Sequence, residues 1–360
     1  MTRYILKRLL LIPLTLFGIL LINFMLIQCA PGGPVERIML RLDNPSSPTM
    51  SRIAGAQGDV GGYTVSSKYQ GSQGLKEELV EQLNQRFGFD KPVHERFLGM
   101  IKQYLMFDFG KSFYRDIRVV DLIKEKMPVS VSLGLWGTLL IYLIAIPLGI
   151  YKARRAGSFG DALSSWLLIV GYAIPAFLLA IFLILMFAGG AYFSWFPLRG
   201  LVSDDWEMLS MWGRVKDYFW HMALPVFSLV VGGFAALTFL TKNSFLEEMN
   251  KNYVLTARAK GLTEKQALYR HVFRNAMLII IAGFPATLIG LLFAGSVLIE
   301  VIFSLDGLGL LGYESVLNRD YPVIFGTLYI FTLLGLVLNL VGDLTYHLVD
   351  PRIDFERKQL

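Results

Sequence analysis

The sequence predicts an all-α integral membrane protein with six transmembrane helices and both termini on the cytoplasmic side. Three observations lead there. Hydrophobic residues make up 54% of the 360-residue chain and charged residues 17%, with a mean hydropathy of +0.51; a soluble domain carries roughly a quarter charged residues. The charges are segregated, because six apolar runs cover 136 residues and hold one charge between them, Asp343. Lys and Arg are also unequally shared between alternate connecting segments. This pattern excludes an ordinary soluble enzyme, a disordered chain and a coiled coil. The single Cys29 excludes a disulfide scaffold and a cysteine-based zinc cluster. The net charge of +6 follows from the basic loops and gives no reason to expect a nucleic-acid partner.

The runs are Leu9–Cys29, Val131–Tyr151, Ala162–Phe187, Met222–Thr241, Met277–Ile299 and Val323–His347. Each has about 20 residues or more, enough to cross roughly 30 Å of hydrocarbon as a helix. None alternates with period two, so a transmembrane barrel is excluded. The first run follows Arg3, Lys7 and Arg8 and has the charge pattern of a signal peptide. Its apolar stretch exceeds the usual h-region of about 7–15 residues, and it reads as a retained helix. With the N-terminus inside, segments 1–8, 152–161, 242–276 and 348–360 hold 16 Lys/Arg in 66 residues, against 4 in the 57 residues of 188–221 and 300–322. That asymmetry fixes the predicted orientation. Prolines 147, 175, 225 and 285 are expected to break four of the spans.

The chain then divides into a tail and first helix (1–29), an extracytoplasmic helical segment (30–130), a transmembrane core (131–349) and a cytoplasmic tail (350–360). Within 30–130, a Gly/Ser-rich stretch at 43–74 reads as a flexible or irregular insertion. Leu75, Leu79, Leu83 and Phe87 then recur every four residues before Gly88, which predicts an amphipathic helix. A second helix is expected from Pro92, with Val93, Phe97, Ile101 and Tyr104 on one side. The two read as a small helical layer over the outer mouth of the bundle.

The loop 242–276 has a net charge of +4. Tyr253 to Lys260 is rich in helix formers and stops at Gly261, a natural C′ residue. Thr263 opens a second helix with Gln266 three residues on, the spacing of a capping box. Two short helices therefore meet at Gly261–Leu262, with the small residues Ala257 and Ala259 just before the turn. Small side chains there would let another surface approach the backbone. A basic loop against anionic lipid accounts for the charge equally well, but an elbow is more structure than lipid attraction requires.

Several apparent motifs carry no chemistry. Gly110-Lys111-Ser112 resembles the end of a phosphate-binding loop, but Leu105 stands where the first glycine belongs, so no ATP-binding motif is expected in this chain. Gly307 to Gly312 fits G-x-G-x-x-G, but a membrane helix precedes it, and it reads as a tight turn packing against the bundle. The four histidines have no metal-like spacing, and no metal or cofactor is expected. Gly295-Ser296 reads as a helix-packing pair. Asp343, near the inner end of the last span, is expected to have a structural partner close by, with Arg352 the nearest in sequence; Glu300 reads as structural as well.

At the inner loop a resemblance to a family becomes specific. Tyr253-Val254-Leu255-Thr256-Ala257-Arg258-Ala259-Lys260-Gly261-Leu262, followed by Arg270-His271-Val272-Phe273-Arg274-Asn275-Ala276, resembles the coupling loop of oligopeptide/dipeptide ABC-importer permeases. Ala30-Pro31-Gly32-Gly33-Pro34, Phe87 to Pro92, Phe107 to Ser112, Gly307-Leu308-Gly309, Arg319-Asp320-Tyr321-Pro322 and Asp350-Pro351-Arg352 extend the match over nearly the whole length. Within the family, the long outer insertion, Gly171 to Phe177 and Val349 to Glu356 are most similar to the microcin C / oligopeptide permeases. The resemblance implies a type I ABC-importer transmembrane-domain fold. It also implies a bacterial inner-membrane subunit that imports peptides, possible microcin C-like conjugates included. The implied partners are a second homologous permease subunit in a heterodimer, cytoplasmic ABC ATPase subunits or a fused double ATPase, an extracytoplasmic substrate-binding protein and membrane lipid. Tyr253, Thr256, Ala257, Arg258, Ala259, Lys260, Gly261 and Leu262 would form the ATPase-coupling elbow. The broader importer motif begins Glu-Ala-Ala, where this chain has Leu255, Thr256 and Ala257, so it offers no acidic residue for that contact.

Two other classes compete. An ion-coupled secondary transporter or channel would need intramembrane charges, and the spans contain one carboxylate and no basic residue. An intramembrane hydrolase would need a nucleophile–base set, which no spacing here suggests.

Overall fold

A computed structural model describes residues 2–29, 92–190, 192–294 and 297–349. The expected insertion 43–74, the helix expected from Leu75, the Gly295-Ser296 pair and the tail 350–360 lie outside the described residues. Among the described residues no strand forms; one isolated antiparallel bridge pairs Lys111 with Arg118.

The helices are α1 (Thr2–Cys29), α2 (Val93–Leu105), α3 (Val119–Arg154), α4 (Phe159–Ala173), α5 (Ala176–Phe187), α6 (Met211–Met249), α7 (Asn252–Ala259), α8 (Glu264–Ala267), α9 (Phe273–Ile289), α10 (Val297–Ile302), α11 (Leu308–Asn318) and α12 (Tyr321–Val349). π-helical turns at Leu268–Val272 and Gly290–Ala294 flank α9. Five helical segments are long and apolar enough to cross a membrane, and α4 with α5 makes up to six. Each predicted run falls on one of these segments.

One expectation about the spans is borne out and one is corrected. The break expected at Pro175 is present, since α4 and α5 meet at 90° across Ile174–Pro175. Pro175 has no N–H to give and biases the residue before it toward extended backbone, and Ile174 has ψ 117°. Pro147, Pro225 and Pro285 break nothing; they lie inside α3, α6 and α9. A proline in a long buried helix loses one hydrogen bond, and neighbouring helices hold the rest of the segment in register.

The chain forms two compact units, one of Met1–Leu16, Asp121–Ser315 and Thr327–Leu360, the other of Phe17–Val120 and Val316–Gly326. In the first, α6 packs against α4, α5 and α9, and a contiguous core runs from Val129 and Leu133 through Leu229 and Phe245 to Ile280 and Leu305. Glycines permit the closest approaches: a Cβ on Gly149 would meet Thr241, and one on Gly134 would meet Leu292. Near the end of this unit, Glu300 is fully buried. Its carboxylate accepts from Leu310 N at 2.7 Å and from Ser130 Oγ at 3.3 Å, and Ser130 Oγ in turn accepts from Leu308 N at 2.8 Å. The first turn of α11 thus closes over the Glu300 side chain, which accepts from one of the turn's free N–H groups. The Gly307–Gly312 segment is not the expected tight turn, since α11 begins at Leu308, but it does pack against the bundle, and Gly307 and Gly309 lie against that carboxylate.

In the second unit, α2 begins at Pro92 as expected, and the Phe97 ring lies 5.8 Å from that of Phe17 and 5.1 Å from that of Phe24. Ser112 Oγ donates to Asp320 Oδ2 at 2.6 Å, and Phe113 N donates to Oδ1 at 3.1 Å. Two motif segments recognised separately in the sequence therefore meet. Burial pushes the Asp320 carboxyl above the ordinary range, against the pull of these donors.

Candidate functional site

The elbow forms from local rules. Helix α7 ends at Ala259 with Lys260 as its C-cap, and Gly261 follows with φ +92°, a conformation that favours glycine. Gly261 N donates to Arg258 O at 2.9 Å and Leu262 N to Ala257 O at 3.3 Å, which satisfies carbonyls of the last turn. Thr263 Oγ1 accepts from Gln266 N at 3.3 Å and Gln266 Oε1 accepts from Thr263 N at 3.0 Å, completing the capping box.

Residues beyond the elbow clamp it. Tyr253 Oη donates to Glu248 Oε2 at 2.6 Å and accepts from Asn275 Nδ2 at 3.2 Å. Lys251 pairs with the other Glu248 oxygen. Burial and the adjacent Glu248 carboxylate push the Tyr253 phenol up to about 12, so it stays protonated and keeps donating at physiological pH. Ser244 Oγ donates to Ala276 O at 2.8 Å, and the Phe245 and Phe273 rings meet at 5.9 Å. The elbow is therefore fastened to the end of α6 and the start of α9.

The sequence-singled residues do not all face the same way. Ala257 is 8% exposed and packs inward, whereas Leu255 is 58% exposed. The smallness of Ala257 thus fits the elbow to its own protein rather than admitting a partner, which corrects the reading that grouped it with Ala259. Thr256, Arg258, Ala259, Lys260 and Gly261 are exposed, Tyr253 and Leu262 half-buried. An added Cβ at Gly261 would meet nothing within 4 Å. The exposed rim is Leu255, Thr256, Arg258, Ala259 and Lys260, a mixed apolar and basic edge with no carboxylate.

Sequence reasoning missed Glu248 and Asn275, and it missed an ion cluster at the same end of the unit. Lys152 is fully buried at the end of α3. Its Nζ lies 2.9 Å from Asp161 Oδ1 and donates to Asp161 O at 2.8 Å and to Ser164 and Ser165 Oγ at 2.7 Å each. Lys242, from the first residue of the loop, reaches the same carboxylate at 2.7 Å. One Asp thus holds the ends of α3, α4 and α6. Asp343 has the structural partner expected of it, with Arg8 Nη2 2.9 Å from its Oδ2; Arg352 lies outside the described residues.

Against known proteins, a family profile described as "Binding-protein-dependent transport system inner membrane component" matches residues 145–355. The chain is 56% identical to the inner membrane ABC transporter permease protein YejB of Escherichia coli O157:H7, over 99% of this chain and 100% of that one. It is 55% identical to the peptidoglycan transport system permease protein YejB of Agrobacterium fabrum, over the whole of both chains. It is 32% identical to the oligopeptide transport system permease protein AppB of Bacillus subtilis, over 99% of this chain and 100% of that one.

Proposed function

The chain belongs to the family of binding-protein-dependent transport system inner membrane components, and from that premise we propose that it forms one half of a peptide translocation pathway, paired with a second, homologous permease subunit. It is a multi-pass inner-membrane permease of an ABC importer, and such importers work with an ATPase and a substrate-binding protein. The finer arrangement is our reading. Both termini face the cytoplasm, 30–130 lies outside, and the ATPase is supplied as separate subunits or as one fused double ATPase. Peptides are the substrate class, microcin C-like conjugates among them; the names of an oligopeptide permease and a peptidoglycan transport permease among the relatives support it.

One observation carries the coupling role. The elbow is clamped from beneath by Glu248, Tyr253 and Asn275 while Leu255 and Ala259 stay exposed. Attraction to lipid headgroups needs charge but no rigid frame, whereas docking into a groove needs both shape and rigidity. Inward movement of the ATPase would then be passed to α6 and α9, to which the elbow is fastened. The permease carries its substrate without transforming it, and ATP hydrolysis on the partner drives the change of access.

The test is reconstitution with the partner subunits in proteoliposomes. Uptake of labelled peptide should require ATP and the binding protein. Uptake driven by an ion gradient without ATP would instead establish the secondary-transporter reading.

A further inference from the structure

A groove of about 280 Å³ runs between α9 and α12 in the half of the unit nearer the 242–276 loop. Met277, Ile281 and Phe284 line one side, Val341, Gly342 and Thr345 the other, and almost every lining atom is apolar. From Met277 to Pro285 it follows α9 over eight residue steps, about 12 Å at 1.5 Å per step. At the level of Ile280, Tyr142 Oη donates to Ile280 O at 3.4 Å, so these polar groups are already engaged.

Before Met277, α9 and the turn leading into it carry basic residues. Arg274 lies three residues before Met277 and seven before Ile281, on the same face of α9 as the groove. It is exposed and has no hydrogen bond or ion pair among the described residues, and the same holds for Arg270 one turn earlier. The nearby carboxylate, Asp343, is on the opposite side of α12 and is engaged by Arg8. An apolar slot inside the span depth is thus followed, one turn toward the start of α9, by a guanidinium with no partner among the described residues.

We infer that this groove holds one acyl chain of an anionic phospholipid of the cytoplasmic leaflet, with the lipid phosphate on Arg274. The slot takes a hydrocarbon chain and rejects a hydrated or charged group; the guanidinium holds the phosphate by paired hydrogen bonds, and its positive charge favours a net-anionic lipid over one whose headgroup carries its own cation. The lipid wedges α9 against α12 next to the point where Gly342 meets Pro285. It therefore sits beside the helix that continues from the elbow. The inference rests on the proposed cytoplasmic placement of the 242–276 loop.

The experiment uses the purified permease–ATPase complex in mild detergent, with phosphatidylglycerol or phosphatidylcholine added at equal concentration and occupancy read by native mass spectrometry. The wild type should prefer phosphatidylglycerol. Arg274→Gln should reduce that preference about fivefold, the value of roughly one basic residue at a membrane surface. Val341→Trp, from a half-exposed position, should fill the slot and lower occupancy by both lipids, while Ile279→Trp on the opposite face of α9 should change neither. Equal occupancy in all variants, or no headgroup preference in the wild type, overturns the inference. A photo-crosslinker at Val341 in native membranes should capture phospholipid; capture of the second permease subunit instead shows a subunit interface and overturns it too. A reporter fusion at Lys251 separates the two levels. A cytoplasmic signal without lipid binding sinks the lipid site alone, and an extracytoplasmic signal sinks the loop placement on which it rests.

Discussion

A side chain on Gly307 would collide with the carboxylate of Glu300: an added Cβ would stand 2.5 Å from the carboxyl carbon. Gly312, five residues on, has open space around the same point. Because Glu300 is fully buried and bonded to Leu310 N and Ser130, it has no room to swing aside. Gly307→Ala should therefore destabilise the protein by about 1–3 kcal/mol through overpacking, while Gly312→Ala inside α11 should be neutral or mildly stabilising. The thermal aggregation temperature of the detergent-solubilised complex measures both. Equal effects at the two positions would refute the carboxylate-cradle account.

The Lys152–Asp161–Lys242 cluster predicts an asymmetry. Asp161→Asn leaves two cations facing each other without an anion, with Lys152 fully buried. Removing one partner of a buried pair costs about 3–5 kcal/mol. The double change Lys152→Met with Asp161→Leu removes the buried pair together and should cost less than Asp161→Asn alone. Abundance of assembled complex in membranes reports the order, and a double variant worse than the single one would contradict it.

At the elbow, the buried and exposed alanines should behave differently. Ala257→Glu puts a charge into packed protein and should lower the abundance of the permease itself. Ala259→Trp and Leu255→Asp alter the exposed rim. They should leave abundance intact but reduce co-purification of the ATPase by roughly 5- to 150-fold, the range for about 1–3 kcal/mol. Lys251→Gln should matter less, since exposed charges are screened. A loop that holds its ATPase through charge alone would show the reverse order.

Gly261→Val tests the backbone rather than the surface. The position has open space, so the penalty comes from φ +92°, which a β-branched residue adopts poorly. The complex should reach the membrane yet lose substrate-stimulated ATP hydrolysis. Normal stimulation at normal abundance would remove the turn from the mechanism.

Topology is checked separately. Reporter fusions at Ser72 and Ser203 should read extracytoplasmic, and fusions at Lys251 and Leu360 cytoplasmic, as the Lys/Arg asymmetry requires. A cytoplasmic signal at Ser72 would mean that α1 is not a span.

What the sequence made legible was local. The Thr263–Gln266 box and the stop at Gly261 are set by residues within a few positions of each other, and both form as their spacing demands. The apolar runs were visible because a bilayer imposes a length on each of them. The contacts that sequence reasoning missed join distant positions. Ser112 and Asp320 are 208 residues apart, Ser130 and Glu300 170, and Lys242 and Asp161 81. Nothing in the neighbourhood of any one of these residues names its partner. The inward face of Ala257 was hidden for a related reason: smallness is compatible with an external partner or with tight internal packing, and only the fold decides. Pro147, Pro225 and Pro285 misled because the hydrogen bond each one removes is offset by the packing of a long helix, whereas at Pro175 the extended backbone of Ile174 breaks the span as expected.

Helix α6 has 39 residues, which at 1.5 Å each gives about 58 Å, nearly twice the hydrocarbon thickness of about 30 Å. Such a rod is a lever with the bilayer as its fulcrum. A tilt of about five degrees around its midpoint moves its two ends by roughly 2.5 Å in opposite directions. A push too small to disturb packing within the membrane would thereby arrive as an ångström-scale, oppositely directed displacement on the far side, with no separate relay required.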